Sequence, residues 1–347
     1  MSTSKLNIEA NVPLSRLTTL QVGGPASWYA SADAPDSVRA GVAWAEERRL
    51  PLLVLGGGSN LLVADDGFPG LVLRIRLRGM HVERDGDSVL VTAAAGENWA
   101  ALVNRTVERG WAGLECLAGI PGTVGATPVQ NVGAYGQEVR EAITAVEVLD
   151  RRTGEIRVIP HDACGFGYRA SRFKGADRDR FIILKVTFRL QPGGSPRVRY
   201  GELAALLACR GVSEPTLRDV RGAVMALRRE KAMLLHTEES AVRSVGSFFI
   251  NPIVSAAEYA LLQQVIAPVL APGESLSIYP LPDGRVKVSA AWLIEHAGFR
   301  RGHMHGRVGL SSRHALAIVN HGNATAREVG AFASSIRRRV WEAFGVL

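Results

Sequence analysis

The segment Leu52-Leu-Val-Leu-Gly-Gly-Gly-Ser-Asn-Leu-Leu-Val-Ala-Asp-Asp-Gly67 decides the fold class. Pro51 to Leu55 reads as a buried strand, and Gly56-Gly57-Gly58-Ser59-Asn60 ends it. A doubly wound nucleotide-binding turn would need the G-x-G-x-x-G spacing and a helix directly behind it. Here Leu61 to Ile75 reads as strand, Asp-Asp-Gly turn and strand. The glycine segment therefore joins strands, and its successive amides can still converge on one anion.

Working outward, Asp36 is placed to cap a helix through Leu50 with Val38, Val42 and Ala45 on one face. Downstream, Val89 to Ala95 reads as a strand and Glu97 to about Arg109 as a helix that ends at Gly110. A second glycine-rich segment follows, Gly113 to Gly136, with six Gly and two Pro in 24 residues. That density leaves no room for a long regular element and points to close approach of backbone to a ligand. Ile143 to Leu149 and Glu155 to Ile159 flank Asp150-Arg-Arg-Thr-Gly154 as a hairpin, and Phe181 to Leu190 is a further strand.

The remainder is predicted mostly from caps. Gln191 to Pro196 is the best linker by composition, and a helix covers about Thr216 to Leu234. Ser255-x-x-Glu258 opens the next helix, and Ser289 to His296 is a short one closed by Gly298. Thr325-x-x-Glu328 opens the last, with Val329, Phe332, Ile336 and Val340 on its buried face. The expected class is α+β.

At 347 residues with 47% hydrophobic content, the chain is long enough for more than one core. Its apolar stretches fall well short of a membrane span, and Met1 to Ala10 does not read as a signal peptide. Cys116, Cys164 and Cys209 are odd in number and widely spaced, which argues against a disulfide framework and fits a reducing cytoplasm. The net charge of +8 comes almost wholly from Arg, since only five of 41 basic residues are Lys. Anionic small molecules are favoured partners over nucleic acid, because only Arg337-Arg-Arg339 forms a run. That run is expected at a helix end, where cations complement the dipole.

Several constellations carry candidate chemistry. The two glycine-rich cradles suit a ligand with a central diphosphate, so a flavin dinucleotide held by loops between strands is the leading reading. Phe166-Gly-Tyr-Arg-Ala-Ser-Arg-Phe-Lys174 could fix a carboxylate, with surface salt bridging as the alternative. Ser247, in Val245-Gly-Ser-Phe-Phe-Ile-Asn-Pro252, could deliver a proton or simply bond to backbone. No G-x-S-x-G elbow surrounds it, which argues against a hydrolase nucleophile. Lys231 and Lys287 stand out among so many arginines as compact point charges. His303 and His305 lack a nearby third metal ligand, so no metal is expected.

Seven motifs, in order, closely resemble the UDP-N-acetylenolpyruvoylglucosamine reductase family of flavoenzymes. They are Leu17-Thr-Thr-Leu-Gln-Val-Gly-Gly-Pro25, Leu55-Gly-Gly-Gly-Ser-Asn60, Ala95-Gly-Glu-Asn-Trp99, Ile120-Pro-Gly-Thr-Val-Gly125, Gln130-Asn-Val-Gly-Ala-Tyr135, Phe166-Gly-Tyr-Arg169 and Gly246-Ser-Phe-Phe249. The resemblance covers the chain from about Thr18 onward. It implies a two-lobed FAD-binding domain of the vanillyl-alcohol-oxidase (PCMH) type and a separate α/β substrate-binding domain. The implied division is 10–76 for the first lobe, with 323–347 returning to it, 77–225 for the second and 226–322 for the substrate domain. The implied reaction takes hydride from NADPH through FAD to the enolpyruvyl group of UDP-N-acetylglucosamine-enolpyruvate.

Residue by residue, the resemblance implies catalytic roles for Arg169 and Ser247. It implies FAD contacts at Gly56, Gly57, Gly58, Ser59, Asn60, Gly122, Thr123, Gly125, Ala126, Gln130, Asn131, Gly133, Ala134 and Tyr135. Substrate contacts are implied at Tyr168, Tyr200, Lys231, Asn251, Tyr279 and Lys287, with Tyr200-Gly-Glu-Leu203 and Tyr279 similar to the subgroup that has an extra tyrosine loop. It further implies a cytoplasmic monomer that binds neither nucleic acid nor membrane. Departures are His236, where Asp is common, and Ile250, where a polar residue is usual. In the family a Leu-Glu-Pro-Glu-like segment follows the last helix and supplies a glutamate that assists the reaction; the sequence in hand ends at Leu347, and Glu342 is not a substitute. That difference motivates a second reading, a flavin and nucleotide-sugar binding protein with impaired turnover. A flavin oxidase of the same fold is a third.

Overall fold

A computed structural model describes residues 6–234 and 243–346. They divide into two compact units, residues 6–13, 25–58 and 68–234 in the first, and residues 14–24, 59–67 and 243–346 in the second.

The first unit holds a separate two-stranded sheet, formed by the chain at 133–138, and two large sheets. In one, strands β1 (Ile8–Pro13) and β2 (Pro25–Ala32) run antiparallel, and β3 (Leu52–Leu55) and β4 (Phe68–Ile75) add parallel pairings in the order β1-β2-β4-β3. Leu71, Val72 and Leu73 in β4 are fully buried. Helix α1 (Pro35–Glu47) lies against this sheet, and Gly41 is needed there because a Cβ would stand 2.8 Å from Leu73. Its cap is Ala34, with Pro35 fixing the first turn, rather than Asp36. It stops three residues before Leu50, where Arg49 takes a φ of +52°.

The second sheet is antiparallel and larger. It begins with β5 (Met80–Asp85) and β6 (Ser88–Ala94), and helix α2 (Trp99–Glu108) follows, capped by the Asn98 side chain on Ala101 N–H. The short strands β7 (Trp111–Ala112), β8 (Gly133–Ala134) and β9 (Gln137–Glu138) precede β10 (Ile143–Asp150), β11 (Ile156–Pro160) and β12 (Phe181–Pro192). The order is β11-β10-β12-β6-β5, with β7 beside β12 and β8 paired to β9. Trp99 and Phe188, both fully buried, meet at 5.8 Å in the core. The expected linker at 191–196 separates no units, because helices α3 (Gly201–Cys209) and α4 (Leu217–Glu230) pack back onto the same core through Leu203, Leu207, Val220 and Val224.

The second unit contains β13 (Arg243–Ser244), β14 (Ile253–Val254), α5 (Ala256–Ile266), β15 (Ile278–Pro280), β16 (Val286–Val288) and α6 (Ala290–His296). These are followed by β17 (Met304–His305), β18 (Val308–Leu310), β19 (Ile318–Asn320) and α7 (Ala326–Phe344). Its two sheets are ordered β13-β19-β18-β17 and β14-β16-β15. The capping boxes at Ser255/Glu258 and Thr325/Glu328 form as the sequence indicates. Arg337 to Arg339 lie within α7 rather than in its last turn, which Gly345 closes in the left-handed conformation.

Two strips expected in the first lobe pack instead with the second unit. Leu20 and Val22 complete its core beside Phe332 and Ile336. The Asp65 carboxylate accepts the Ala326 and Arg327 amides at 2.6 and 3.0 Å, at the positive end of α7. Residues 61–64 form no strand: Val63 packs on the backbone of Gly23, and Ala64 O accepts the Gly24 amide and, closing the turn, the Gly67 amide, with no ladder beyond. Among the described residues no helix is long and apolar enough to cross a membrane.

Candidate active site

In the first unit the two glycine loops meet. A Cβ at Gly57 would stand 2.7 Å from Gly122 Cα, and one at Gly56 would stand 2.8 Å from Thr123 Oγ1. The second loop is bolted in place from behind. Val124 N–H donates to Glu97 O, Gly125 N–H to Ala95 O, and Trp99 N–H to Gly122 O, at 2.9, 2.9 and 3.1 Å. Among the described residues, the amides of Gly57, Gly58, Gly122 and Thr123 donate to no backbone carbonyl. The loops thus present a shared set of N–H donors on a surface where side chains would collide, which is what a diphosphate requires.

The third part of the cradle is held by side chains. Asn131 is fully buried with a φ of +45°; its Nδ2 donates to Gly167 O and Glu138 Oε2, and its Oδ1 accepts the Arg140 amide. Its side chain is therefore committed to shaping the loop. Arg169, with a φ of +52°, donates from Nη2 to Gly133 O at 2.5 Å and from Nη1 to Asn131 O at 3.3 Å. Tyr135 also has a positive φ. Three non-glycine residues in this region of φ/ψ space mark a strained local structure that its surroundings enforce. Tyr168 lies under the Arg169 guanidinium at 5.6 Å, and Gln130, Ala134 and Gly133 are half-buried along the same run.

Tyr200 and Lys231 converge on this cradle although they are remote in sequence. The Tyr200 and Tyr135 rings meet edge to face at 5.5 Å, and Lys231 Nζ lies 5.9 Å from the Tyr135 ring while paired with Glu202 at 2.5 Å. Burial pushes the Tyr135 hydroxyl up to about 12, against the opposing pull of Arg228, so it stays protonated. Arg228 itself is only 5% exposed, with Nη2 on Met233 O and a buried Nε that has no hydrogen-bond partner. Burial lowers its pKa. Sequence reading missed Arg228, one of 36 arginines, because nothing in its neighbours marks it as buried.

The second unit carries the remaining candidates. Ser247 is exposed on a turn where Gly246 has a φ of +72°, and its Oγ lies 3.1 Å from His314 Nε2. Asn251 Oδ1 accepts the Ala290 amide at the start of α6. Tyr279 and Lys287 face each other across β15 and β16, with Nζ 4.8 Å from the ring. Ser59 and Asn60 fall in this unit. His303 and His305 stack on Phe332, and no cluster of metal-ligating residues exists among the described residues. Ile250 is 56% exposed, Glu342 is paired with Arg339, and His236 lies outside the described residues.

Comparisons with known proteins agree with this geometry. Residues 26–159 match the family described as FAD binding domain, which sets the class: a flavoprotein with a two-lobed FAD-binding domain of the vanillyl-alcohol-oxidase (PCMH) type. Residues 237–347 match the family described as UDP-N-acetylenolpyruvoylglucosamine reductase, C-terminal domain. The chain is 46% identical over 338 residues to the UDP-N-acetylenolpyruvoylglucosamine reductase of Thermobifida fusca, covering 97% of this chain and 94% of the relative. It is 47% identical over 351 residues to that of Salinispora arenicola, covering 99% and 95%. The crystal structure of UDP-N-acetylenolpyruvylglucosamine reductase (MurB) from Thermus caldophilus superposes with a TM-score of 0.66 at 26% identity, covering 99% of this chain and 97% of that one. The chain belongs to the UDP-N-acetylenolpyruvoylglucosamine reductase family.

Proposed function

We propose that this protein reduces the enolpyruvyl group of UDP-N-acetylglucosamine-enolpyruvate to the lactyl ether of UDP-N-acetylmuramate, in peptidoglycan precursor synthesis. Bound FAD, reduced by NADPH, supplies the hydride. The observation that carries the reading is the close approach of Gly57 to Gly122, together with an Arg169 anchored on Gly133 O, in a chain that belongs to this family.

Gly56 to Asn60, Gly122, Thr123, Gly125, Ala126 and Gln130 to Tyr135 are proposed to line the FAD site, with the amides of Gly57, Gly58, Gly122 and Thr123 as donors, while Gly125, Ala126 and Asn131 spend their own amides on the loop carbonyls Ala95 O, Thr123 O and Pro128 O. Arg169 is proposed to stabilise negative charge on the substrate carboxylate as hydride reaches the vinyl carbon, because two of its five donors are anchored and the rest remain available. Ser247 is proposed to donate the proton to the adjacent carbon. Tyr168, Tyr200, Lys231, Asn251, Tyr279 and Lys287 are proposed for the diphosphate and uridine. Tyr200 and Tyr279 support placing the chain in the subgroup with an extra tyrosine loop.

The proposed division assigns 10–76 and 77–225 to the flavin lobes and 226–322 to the substrate, with 323–347 returning to the first lobe; against it, helix α4, which spans residue 226, packs on the first core, and 14–24, 59–67 and 323–346 cluster with the second unit. We further propose a cytoplasmic monomer without nucleic-acid or membrane partners. The test is anaerobic flavin absorbance of the purified protein with NADPH and then substrate added. Bleaching followed by rapid return of the oxidised spectrum is expected. Bleaching without return would refute the reductase reading, and absence of bound flavin would refute the cradle.

A further inference from the structure

We propose that His314 is a relay and positioning residue for Ser247: the imidazole resupplies the proton that the serine gives to substrate. The proposal rests on the reading of Ser247 as the proton donor. The observation is the 3.1 Å contact between Ser247 Oγ and His314 Nε2, made by residues 67 positions apart.

The contact is imposed by backbone rather than by two side chains drifting together. Phe248 N–H, one residue after the serine, donates to Leu316 O at 2.7 Å. Leu316 lies two residues after the histidine, where Ala317 N–H donates to His314 O and Ser311 N–H donates to Ala317 O, at 3.2 and 2.8 Å. Gly246 sets the turn through its positive φ and donates its amide to Ser244 Oγ. The serine turn and the histidine turn are therefore one assembly, with the hydroxyl on its exposed side.

The chemistry calls for such a partner. A serine hydroxyl is a very weak acid, and after donation it would be left as an alkoxide unless another group replaced the proton in the same step. Imidazole is the side chain able to carry and return a proton near neutral pH. Direction matters as well. A hydroxyl has one hydrogen, so when Nε2–H donates to Oγ that hydrogen is free to point at substrate. In the step, a C–H bond forms on the substrate as the Oγ–H bond breaks; a new Oγ–H bond forms as the Nε2–H bond of the imidazolium breaks. The neutral imidazole then regains its proton from solvent, and no electrons leave the system.

The test uses the flavin-loaded full chain and follows the two half-reactions separately. His314→Ala is expected to slow return of the oxidised spectrum after substrate addition by about 10–100-fold, near the lower range for a lost acid–base group. Bleaching by NADPH, flavin content and the substrate concentration at half-maximal rate should stay within about twofold. His314→Gln, which can still donate one hydrogen bond but cannot pass a proton, should stay slow. Added imidazole should restore part of the rate to His314→Ala and none to Ser247→Ala. Full activity in His314→Gln would reduce the histidine to a hydrogen-bond donor and overturn the relay. A wild-type rate in His314→Ala beside an impaired Ser247→Ala would overturn the proposal while leaving Ser247 as donor. A wild-type rate in Ser247→Ala would overturn the reading of the serine, and the relay with it.

Discussion

The cradle of the first unit and the serine turn of the second hold their chemistry by different means. The cradle is built from backbone: Gly57 against Gly122, amides bolted to Ala95 and Glu97, and a guanidinium strapped by two carbonyls. The serine turn presents one exposed hydroxyl facing an imidazole. Backbone geometry tolerates almost no substitution, because a clash with main chain cannot be relieved by a rotamer change. A side-chain pair can be dissected atom by atom. The difference teaches that variants of the cradle's glycine backbone report on occupancy, whereas variants of the side chains proposed to act on substrate, Arg169 and Ser247, report on rate.

Four changes would break or sharpen that comparison. The largest effect is expected from Arg169→Lys. A lysine cannot reach both Gly133 O and Asn131 O with a fixed fork, so flavin return with substrate should fall about 10²–10³-fold, the loss usual for a charge-stabilising donor, with NADPH bleaching kept. Stopped-flow absorbance reads both steps. An intact substrate half-reaction would show that the anchored fork is unnecessary.

Next comes Asp150→Asn. The Asp150 side chain is fully buried, receives two N–H bonds from Arg180, and lies 3.7 Å from Arg157, while Arg180 also pairs with Asp177. Losing one member of a buried ion pair costs about 3 kcal/mol or more, seen as a drop in the midpoint of urea unfolding. Hydrogen bonds from Arg180 hold the Asp150 carboxyl below its usual range. Because the folded value is depressed, the stabilisation is present above the ordinary carboxylate range and is lost as pH falls through the lowered value. Wild type and variant should therefore converge in acid, and parallel curves would refute the assignment.

Gly57→Ala comes third. Its Cβ would meet Gly122 Cα at 2.7 Å, so the two loops must part; bound flavin should weaken by about tenfold or more, equivalent to about 1.4 kcal/mol. Flavin absorbance per protein on dialysis measures it, and unchanged retention would show that the loops have slack. The smallest is Thr325→Ala, which removes the Oγ1 acceptor of the Glu328 amide and should destabilise by about 1 kcal/mol. The neighbouring Glu328 carboxyl is held at about 2, first by the Thr325 amide and then by Arg307, so its support for α7 should disappear only as pH falls towards that value. A thermal melt at neutral pH and another in acid would test both statements.

Some elements were hard to read for physical reasons. Strands β1 and β5 do alternate, with Ile8, Ala10 and Val12 in one and Met80 and Val82 in the other, but the apolar positions are few and mostly half-buried or exposed, so the period is short and weak. Helix α3 begins at a glycine, has no side-chain cap and consists largely of Ala and Leu, which gives no polar face to reveal a period. Arg228 looks like every other arginine until the fold buries it. His314 gains its interest only from Ser247, 67 residues earlier.

The sequence alone determined what rests on neighbouring residues. Gly56 to Asn60 with no helix behind it excluded a doubly wound nucleotide turn, and Ser255/Glu258 and Thr325/Glu328 fixed helix starts through bonds spanning three residues. The tertiary structure decided which remote pieces share a core. It drew Leu20 and Val22 away from the first sheets to cover Phe332, set Gly57 on Gly122, and faced Ser247 with His314. The reason is that a cap is a local hydrogen bond whose partners the chain already holds close, whereas a core contact depends on which apolar faces the whole chain can bury together.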